Sequence, residues 1–427
     1  MRSLVSLASL GLTLALVLPA SGQDAGEPLT LGAALDEAFT QNPEIIALRR
    51  QYEAAFAVSA QERHLGAPTL EAQIWGWPVT TVNPVDTEMY MFMMEQALPG
   101  RGKRAARALV AARDADLVRS DISMRANEVL DEVRQAYAEL ALVRDTLVLY
   151  DRQLSVLRDT FDAATLQFAS GHGGPHDTVL PLVALAELES DALTWRARAR
   201  TAGARLNTLL GRPVDRPVDP LLPMVWTAMP FDPAQAALER HPAMAAATAT
   251  IAREQAELDR LRGERRPDFI FGGGYMLTPG DAGAWTVRGG LTWPNAPWSR
   301  GRLDAAIDAQ ARRVEAAGAR REAIAAGIRR GVFDAVVRIE TARERAALIE
   351  KALLPHVEHG VDVSRVAYAA GNGSFADVLG SQRAWLSAEM DLVAAQTEVA
   401  LALASLDYAI GAVRDEARPA VAVEVQP

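Results

Sequence analysis

The sequence predicts a mainly α chain with a small β part, built twice from one helix–β-hairpin–long helix–helix unit. Three observations carry this. Lys103 to Ser170 runs for 68 residues without a glycine or proline, which as one helix would reach about 100 Å at 1.5 Å per residue. Landmarks recur at an offset of 199 or 200: Asn42-Pro43 with His241-Pro242, Pro68 with Pro267, Arg101-Gly102-Lys103 with Arg300-Gly301-Arg302, Asp177 with Asp377, and Leu210-Gly211 with Ile410-Gly411. Such an offset, held along most of the chain, marks a duplication far longer than a solenoid repeat. Finally, four short alternating segments sit in pairs ahead of the two long helical stretches.

The elements follow in order. Residues 1–22 read as a signal peptide: Arg2, an apolar run from Leu4 to Leu18, then small residues with cleavage expected after Gly22. The run is shorter than the ~20 residues of a spanning helix. Its removal deletes one positive charge and takes the formal net charge from −10 to −11. The first repeat occupies 23–211. A helical pattern from Leu29 to Leu65 has a boundary at Asn42-Pro43, and strands are expected at 68–77 and 87–96. The long helix follows, then the turn Gly171 to Pro175 and a helix from Asp177 to Leu210. A proline-rich linker, 212–229, is stiff and extended. The second repeat, 230–411, has a helix from Asp232 to Gly263, strands at 267–277 and 285–293, and a long helix from Arg302 to about Ala369. That helix should kink at Pro355. The turn Gly371-Asn372-Gly373-Ser374 and a helix from Asp377 to Ile410 follow, and a tail covers 412–427. Val129, Val133, Ala136, Leu140, Val143, Leu147 and Tyr150 recur at three and four, the pattern of packed helices.

Composition excludes several functions. A net charge of −10 argues against nucleic acid, whose phosphates require a basic surface. With no cysteine, thiolate nucleophiles and cysteine-ligated zinc are excluded. No Ser/His/Asp arrangement has a recognisable elbow, and Gly272-Gly273-Gly274 lacks the Gly-Lys-Ser/Thr of a phosphate loop. Neither an enzyme nor a cofactor is expected. His172 and His176, beside Asp177, are the weak metal candidates; a solvated turn is the simpler reading. His356, Glu358 and His359 do not make HExxH and read as surface. Met89, Met91, Met93, Met94 and Met276 carry thioethers that suit Cu(I), although lipid-facing or barrel-filling side chains explain them equally. Arg101, Lys103, Arg104 and Arg107 are expected to meet lipid headgroups or neighbouring carboxylates.

The four strands each have about the length that crosses a bilayer when tilted. Trp75, Trp77, Trp285, Trp293 and Trp298 lie at or beside their ends, where an interfacial girdle belongs. Four strands cannot close a membrane barrel, because the smallest bacterial barrels have eight, and open edges cannot sit in lipid. Spanning strands would therefore require oligomerisation, with two subunits giving eight strands or three giving twelve. An ordinary soluble sheet is the alternative.

Together these features resemble the TolC-type outer-membrane efflux channels. The matching motifs are Leu31, Ala34, Leu35, Ala38 and Asn42-Pro43 at the start, Gln96-Ala97-Leu98-Pro99 before the long helix, Tyr368, Gly371, Asp377-Val378-Leu379 and Gln382, and Leu406, Ala409 and Ile410-Gly411 at the close. The resemblance covers residues 29–411. It implies a homotrimer with a twelve-stranded β-barrel in the outer membrane and an α-helical tunnel across the periplasm. It also implies docking to a periplasmic adaptor protein and an inner-membrane pump of the resistance-nodulation-division class. The stretch from Met94 to Lys103 is most similar to the heavy-metal branch, so metal cations are the expected cargo. Drug or organic-solute efflux and type I secretion are the alternatives within the family, and a periplasmic helical scaffold is the alternative outside it.

By the same resemblance the periplasmic turns close the tunnel. Asp177, Asp377 and Tyr368 fall at the aperture, where six carboxylates in a trimer would favour cations and crowding would raise their pKa values. Asp177 and Asp377 read equally as helix N-caps. Gly171, Gly173, Gly371, Asn372, Gly373 and Ser374 form the tips expected to dock the adaptor. Gly373 and Gly380 stand where some relatives carry a basic latch residue and a second aspartate.

Overall fold

A computed structural model of the chain describes residues 28–169, 175–221 and 233–411. Strand β1 (Pro28–Leu29) leads into α1 (Leu31–Gln41) and α2 (Pro43–Gln61). The expected break at Asn42 is there: its backbone is extended, and its side chain caps α2 by accepting from the N–H groups of Glu44 and Ile45. Hairpin strands β2 (Thr69–Trp75) and β3 (Met89–Leu98) follow, then α3 (Lys103–Ala169) and α4 (Pro175–Leu209). Helix α3 is unbroken for 67 residues. After β4 (Asp219–Pro220), the second copy runs α5 (Pro233–Arg240), α6 (Pro242–Gly263), β5 (Phe269–Leu277), β6 (Ala284–Leu291), α7 (Arg300–Leu348), α8 (Leu354–Ala369) and α9 (Phe375–Ala409).

The second copy differs from expectation in two places. The helix expected from Asp232 to Gly263 is divided at His241, which is extended and caps α6 through Nδ1, as Asn42 caps α2. The kink expected at Pro355 is a π-helical turn at Ile349–Leu353, just ahead of the proline. Pro355 lacks the N–H that would bond Lys351, and its ring crowds that carbonyl, so the preceding turn widens.

The two copies share one closure. Gly211 and Gly411 both take positive φ, 70° and 65°. A Cβ on Gly211 would come within 2.6 Å of the Gln41 carbonyl oxygen, and one on Gly411 within 2.6 Å of His241 Cα. Each closing glycine therefore seats the end of its repeat against that repeat's Xaa-Pro break. Asn42 donates to the Leu209 carbonyl at 3.0 Å, and His241 meets Tyr408 edge to face. A parallel bridge between β1 and β4, two residues each, ties the start of the chain to the linker. Tyr137 lies beneath it and donates to the carbonyls of Leu29 and Leu221.

Three apolar clusters hold the helices. One surrounds Tyr137, Ile45, Leu206 and Leu210; its counterpart in the second copy surrounds Ile328, Val332, Ile339 and Leu406. The third joins the far ends of α3, α4 and α9 through Tyr150, Leu157, Leu188, Phe375 and Leu386. The four longer strands form one antiparallel sheet in the order β2-β3-β5-β6. Beneath it the helices neighbour one another in the matching order α2-α3-α6-α7. Each strand thus continues into its own helix, and the chain has two unlike open sides, one at β2 and α2 and the other at β6 and α7. Among the described residues no helix is long and apolar enough to cross a membrane.

Candidate functional site

The sheet separates its side chains by chemistry. Residues paired across strands share a face, and successive residues alternate. One face carries Leu70, Ile74, Phe92, Met94, Phe269, Phe271, Leu277, Trp285, Val287 and Leu291. Among the described residues nothing covers it: Leu70 is 76% exposed, Trp285 81% and Val287 89%. The other face carries Thr69, Glu71, Gln73, Glu95, Thr286 and Arg288, together with Met89, Met91, Met93 and Met276. Along β3 the polar face is half-buried except at Ala97, while the apolar face is exposed at Phe92 and Met94 and half-buried at Tyr90, Gln96 and Leu98. Arg288 reaches across Gly272 to Glu95 at 3.4 Å. An apolar exposed outside, a polar inside and two unpaired edges form a wall segment suited to lipid on one side and water on the other. For β3 this partition follows from the sequence alone, whose alternation sets Met89, Met91 and Met93 on one side and Tyr90, Phe92 and Met94 on the other; Thr69-Leu70-Glu71-Ala72-Gln73-Ile74 displays the same period two along β2. The five tryptophans of the expected girdle are all well exposed, but Trp75 is the cross-strand partner of Met89 and so lies on the polar face rather than the apolar one; Trp293 and Trp298 pack edge to face.

The basic cluster meets carboxylates at the foot of this wall. Lys103, 2% exposed, bonds Glu264 and Asp268, both at 2.9 Å. Asp268 also accepts from the Gly100 N–H at 2.7 Å. Partial burial pushes the Asp268 carboxyl up, but the Gly100 N–H, Lys103 and Arg107 outweigh it and hold the group below its ordinary 3.8. Arg107 approaches Glu264, and Arg104 donates to the Arg63 carbonyl. Gly102 turns the chain here with φ 83°. The β3–α3 joint of the first copy is thus fastened to the α6–β5 joint of the second.

At the opposite end, only one of the two expected tips is described. Gly171, His172 and Gly173 lie outside the described residues, as do the side chains of His176 and Asp177; Asp177 falls in the first turn of α4. In the second tip Gly371 has φ 73°, the left-handed conformation that glycine adopts freely. Asp377 is not the N-cap. Ser374 is, and Asp377 occupies the third helical position of a capping box. Its carboxylate accepts from the Ser374 N–H at 3.0 Å and the hydroxyl at 2.7 Å. In the single chain these bonds hold the exposed Asp377 below its ordinary pKa. Tyr368 is half-buried and packs edge to face on Phe375 at 5.5 Å, so in the single chain it supports the turn. A Cβ on Gly373 would lie 3.2 Å from Ala367 Cβ and from the Tyr368 nitrogen, which leaves little room for a longer residue in this closure.

Among the described residues no three His, Asp or Glu side chains are grouped as a metal would require; His356, Glu358 and His359 are exposed on α8. Gly272-Gly273-Gly274 lies inside β5, away from any helix N-terminus.

Residues 234–412 match the outer membrane efflux protein family. No curated protein matches the sequence. The fold is that of several solved channels. CusC is 16% identical with a TM-score of 0.75, over 95% of this chain and 99% of that one. The outer-membrane channel OprN is 18% identical at 0.72, over 91% and 93%. The open state of MtrE from Neisseria gonorrhoeae is 18% identical at 0.71, over 89% and 88%.

Proposed function

We propose that this chain is one stave of an outer-membrane efflux channel, a passive conduit that does no bond chemistry. The observation that carries this reading is the two-faced sheet with unlike free edges, aligned strand for helix with the layer below it. Three copies joined β6 to β2 give a closed twelve-stranded barrel over a ring of α2, α3, α6 and α7. Closure leaves no unpaired backbone in lipid, and a head-to-tail contact that returns on itself makes a ring. The match of residues 234–412 to the efflux family and the likeness to OprN, CusC and MtrE support the same reading.

In this assembly the tip at Tyr368 to Asp377 and its first-copy counterpart around Asp177 form the constriction. Carboxylates gathered there favour cations. The tips also receive a periplasmic adaptor, which links the conduit to an energised inner-membrane pump of the resistance-nodulation-division class. Metal cations are the cargo this reading favours, with organic solutes as the competitor. The test is reconstitution of the detergent-extracted protein in planar bilayers. A heat-modifiable trimer that conducts, and prefers cations, is expected; a water-soluble monomer without conductance overturns the proposal. Gene deletion followed by challenge with copper, silver, zinc, cobalt and cadmium, against dyes and detergents, separates the two cargoes.

A further inference from the structure

Four methionines occupy an unexpected place. Met89, Met91 and Met93 alternate along β3, and Met276 is the cross-strand partner of Met91 on β5. All four lie on the polar face, beside Gln73 and Glu71, and are half-buried there. Lipid contact therefore does not account for them, and Met94, the one methionine of β3 on the apolar face, is 55% exposed. A directly opposed pair such as Met91 and Met276 has Cβ atoms about 5 Å apart, and residues two along a strand follow at about 7 Å. Long, unbranched thioether arms span such gaps. The floor between them is bare: Gly274 is the partner of Met93, and a Cβ placed there would come within 2.9 Å of Met93 Cγ. Met93 thus leans over β5 toward the row that Met276 occupies.

We propose that Met89, Met91, Met93 and Met276 form a binding site for a soft monovalent cation of the Cu(I) or Ag(I) class. Met91 and Met276 are the central pair, and Met93 or Met89 supplies a further sulfur. Thioethers select such ions over borderline divalent ones, and Glu71, opposite Met93, adds negative charge nearby without presenting a competing nitrogen or thiolate ligand. The inference deepens the proposed function and rests on that reading only in requiring water on the polar face. It places a selective station inside the barrel wall, remote from the periplasmic tips.

The test measures Ag(I) bound to the purified full-length protein in detergent by equilibrium dialysis with mass-spectrometric metal counting, in a chloride-free buffer. Wild type is expected to retain silver in the presence of excess Zn(II). Met91→Leu with Met276→Leu is expected to weaken retention by at least about tenfold, no less than changes around other metal sites produce. The quadruple Met→Leu variant should reduce it to background, while Met94→Leu should leave it unchanged. No silver on wild type, displacement by zinc, retention by the quadruple variant, or loss in Met94→Leu each overturns the site. Bilayer conductance of the same preparations reports separately on the channel: a conducting protein that binds no silver loses the site and keeps the channel.

Discussion

Lys103 shows what one side chain can decide. It is enclosed between the two copies and bonds a carboxylate on each side of the α6–β5 joint. Lys103→Met removes the cation and leaves Glu264 and Asp268 facing each other, a loss of about 3 kcal/mol if it behaves like other broken buried pairs. The temperature at which the purified assembly comes apart on a gel should drop accordingly, and Lys103→Arg should recover part of it. The same site predicts an acid limit. Because Asp268 is held below its ordinary value, its contribution to stability is complete above the unfolded pKa of 3.8 and is lost as pH falls through the lower folded one. Asp131 and Asp407, around Arg134, are shifted the other way by burial. Protonation favours their folded state, and their contribution fades as pH rises through their folded pKa values. Asp268→Asn should remove the acid-side loss, measurable in a thermal melt below pH 4, whereas Asp407→Asn should flatten the opposite slope above it. At the tip, Gly371→Val meets no neighbouring atom but must hold φ 73°, at a cost of about 1–2 kcal/mol. Trimer formation should survive and adaptor capture weaken; intact capture by the variant refutes the assignment of the tip as the docking surface.

At the scale of elements, the break between α7 and α8 has one chemical cause. Pro355→Ala restores the missing N–H and relieves the ring's clash with the preceding turn, together worth up to about 3 kcal/mol of local helix stability. Amide exchange at residues 349–354 should slow, and exchange as fast as in wild type would assign the π turn to packing instead. The other breaks show how far sequence reasoning reaches. Asn42-Pro43 was legible because proline forces the preceding residue out of the helical region. His241-Pro242 carries the same signal, but the apolar pattern on both sides resembled one continuous helix and concealed it. The β1–β4 bridge left no trace, since two residues are too few to show a period. The cap at Ser374 is legible in the sequence, since Ser374-Phe375-Ala376-Asp377 is a capping box with Asp in place of Glu. The strands lie within about two residues of their sequence-predicted bounds and the two sides of β3 are legible in its alternation, while the continuation of those sides across all four strands follows from the register, which fixes the residues that stand opposite one another.

For the whole molecule, the duplication was legible because glycines and prolines record backbone geometry that side-chain substitution does not erase. The fold subdivides accordingly, each half closed by its own glycine against its own Xaa-Pro break. What one chain could not reveal is how its sides are covered, because both edges are incomplete in isolation. Ala72→Pro or Gln73→Pro on β2 should test this: proline removes a backbone donor, and one of the two positions faces the free edge. That variant should be recovered as monomer in detergent while its helix content, read by circular dichroism, stays at the wild-type level.

The unlike edges have a further consequence for cells that make two versions of the chain. In the proposed ring, a subunit damaged only at β2 would still offer a sound β6 side, so it would enter a growing ring and spoil its completion. In a three-membered ring with half the chains damaged, only about one assembly in eight is free of them. Such an allele would be dominant over the normal one, whereas a null allele, which contributes no chains, would not.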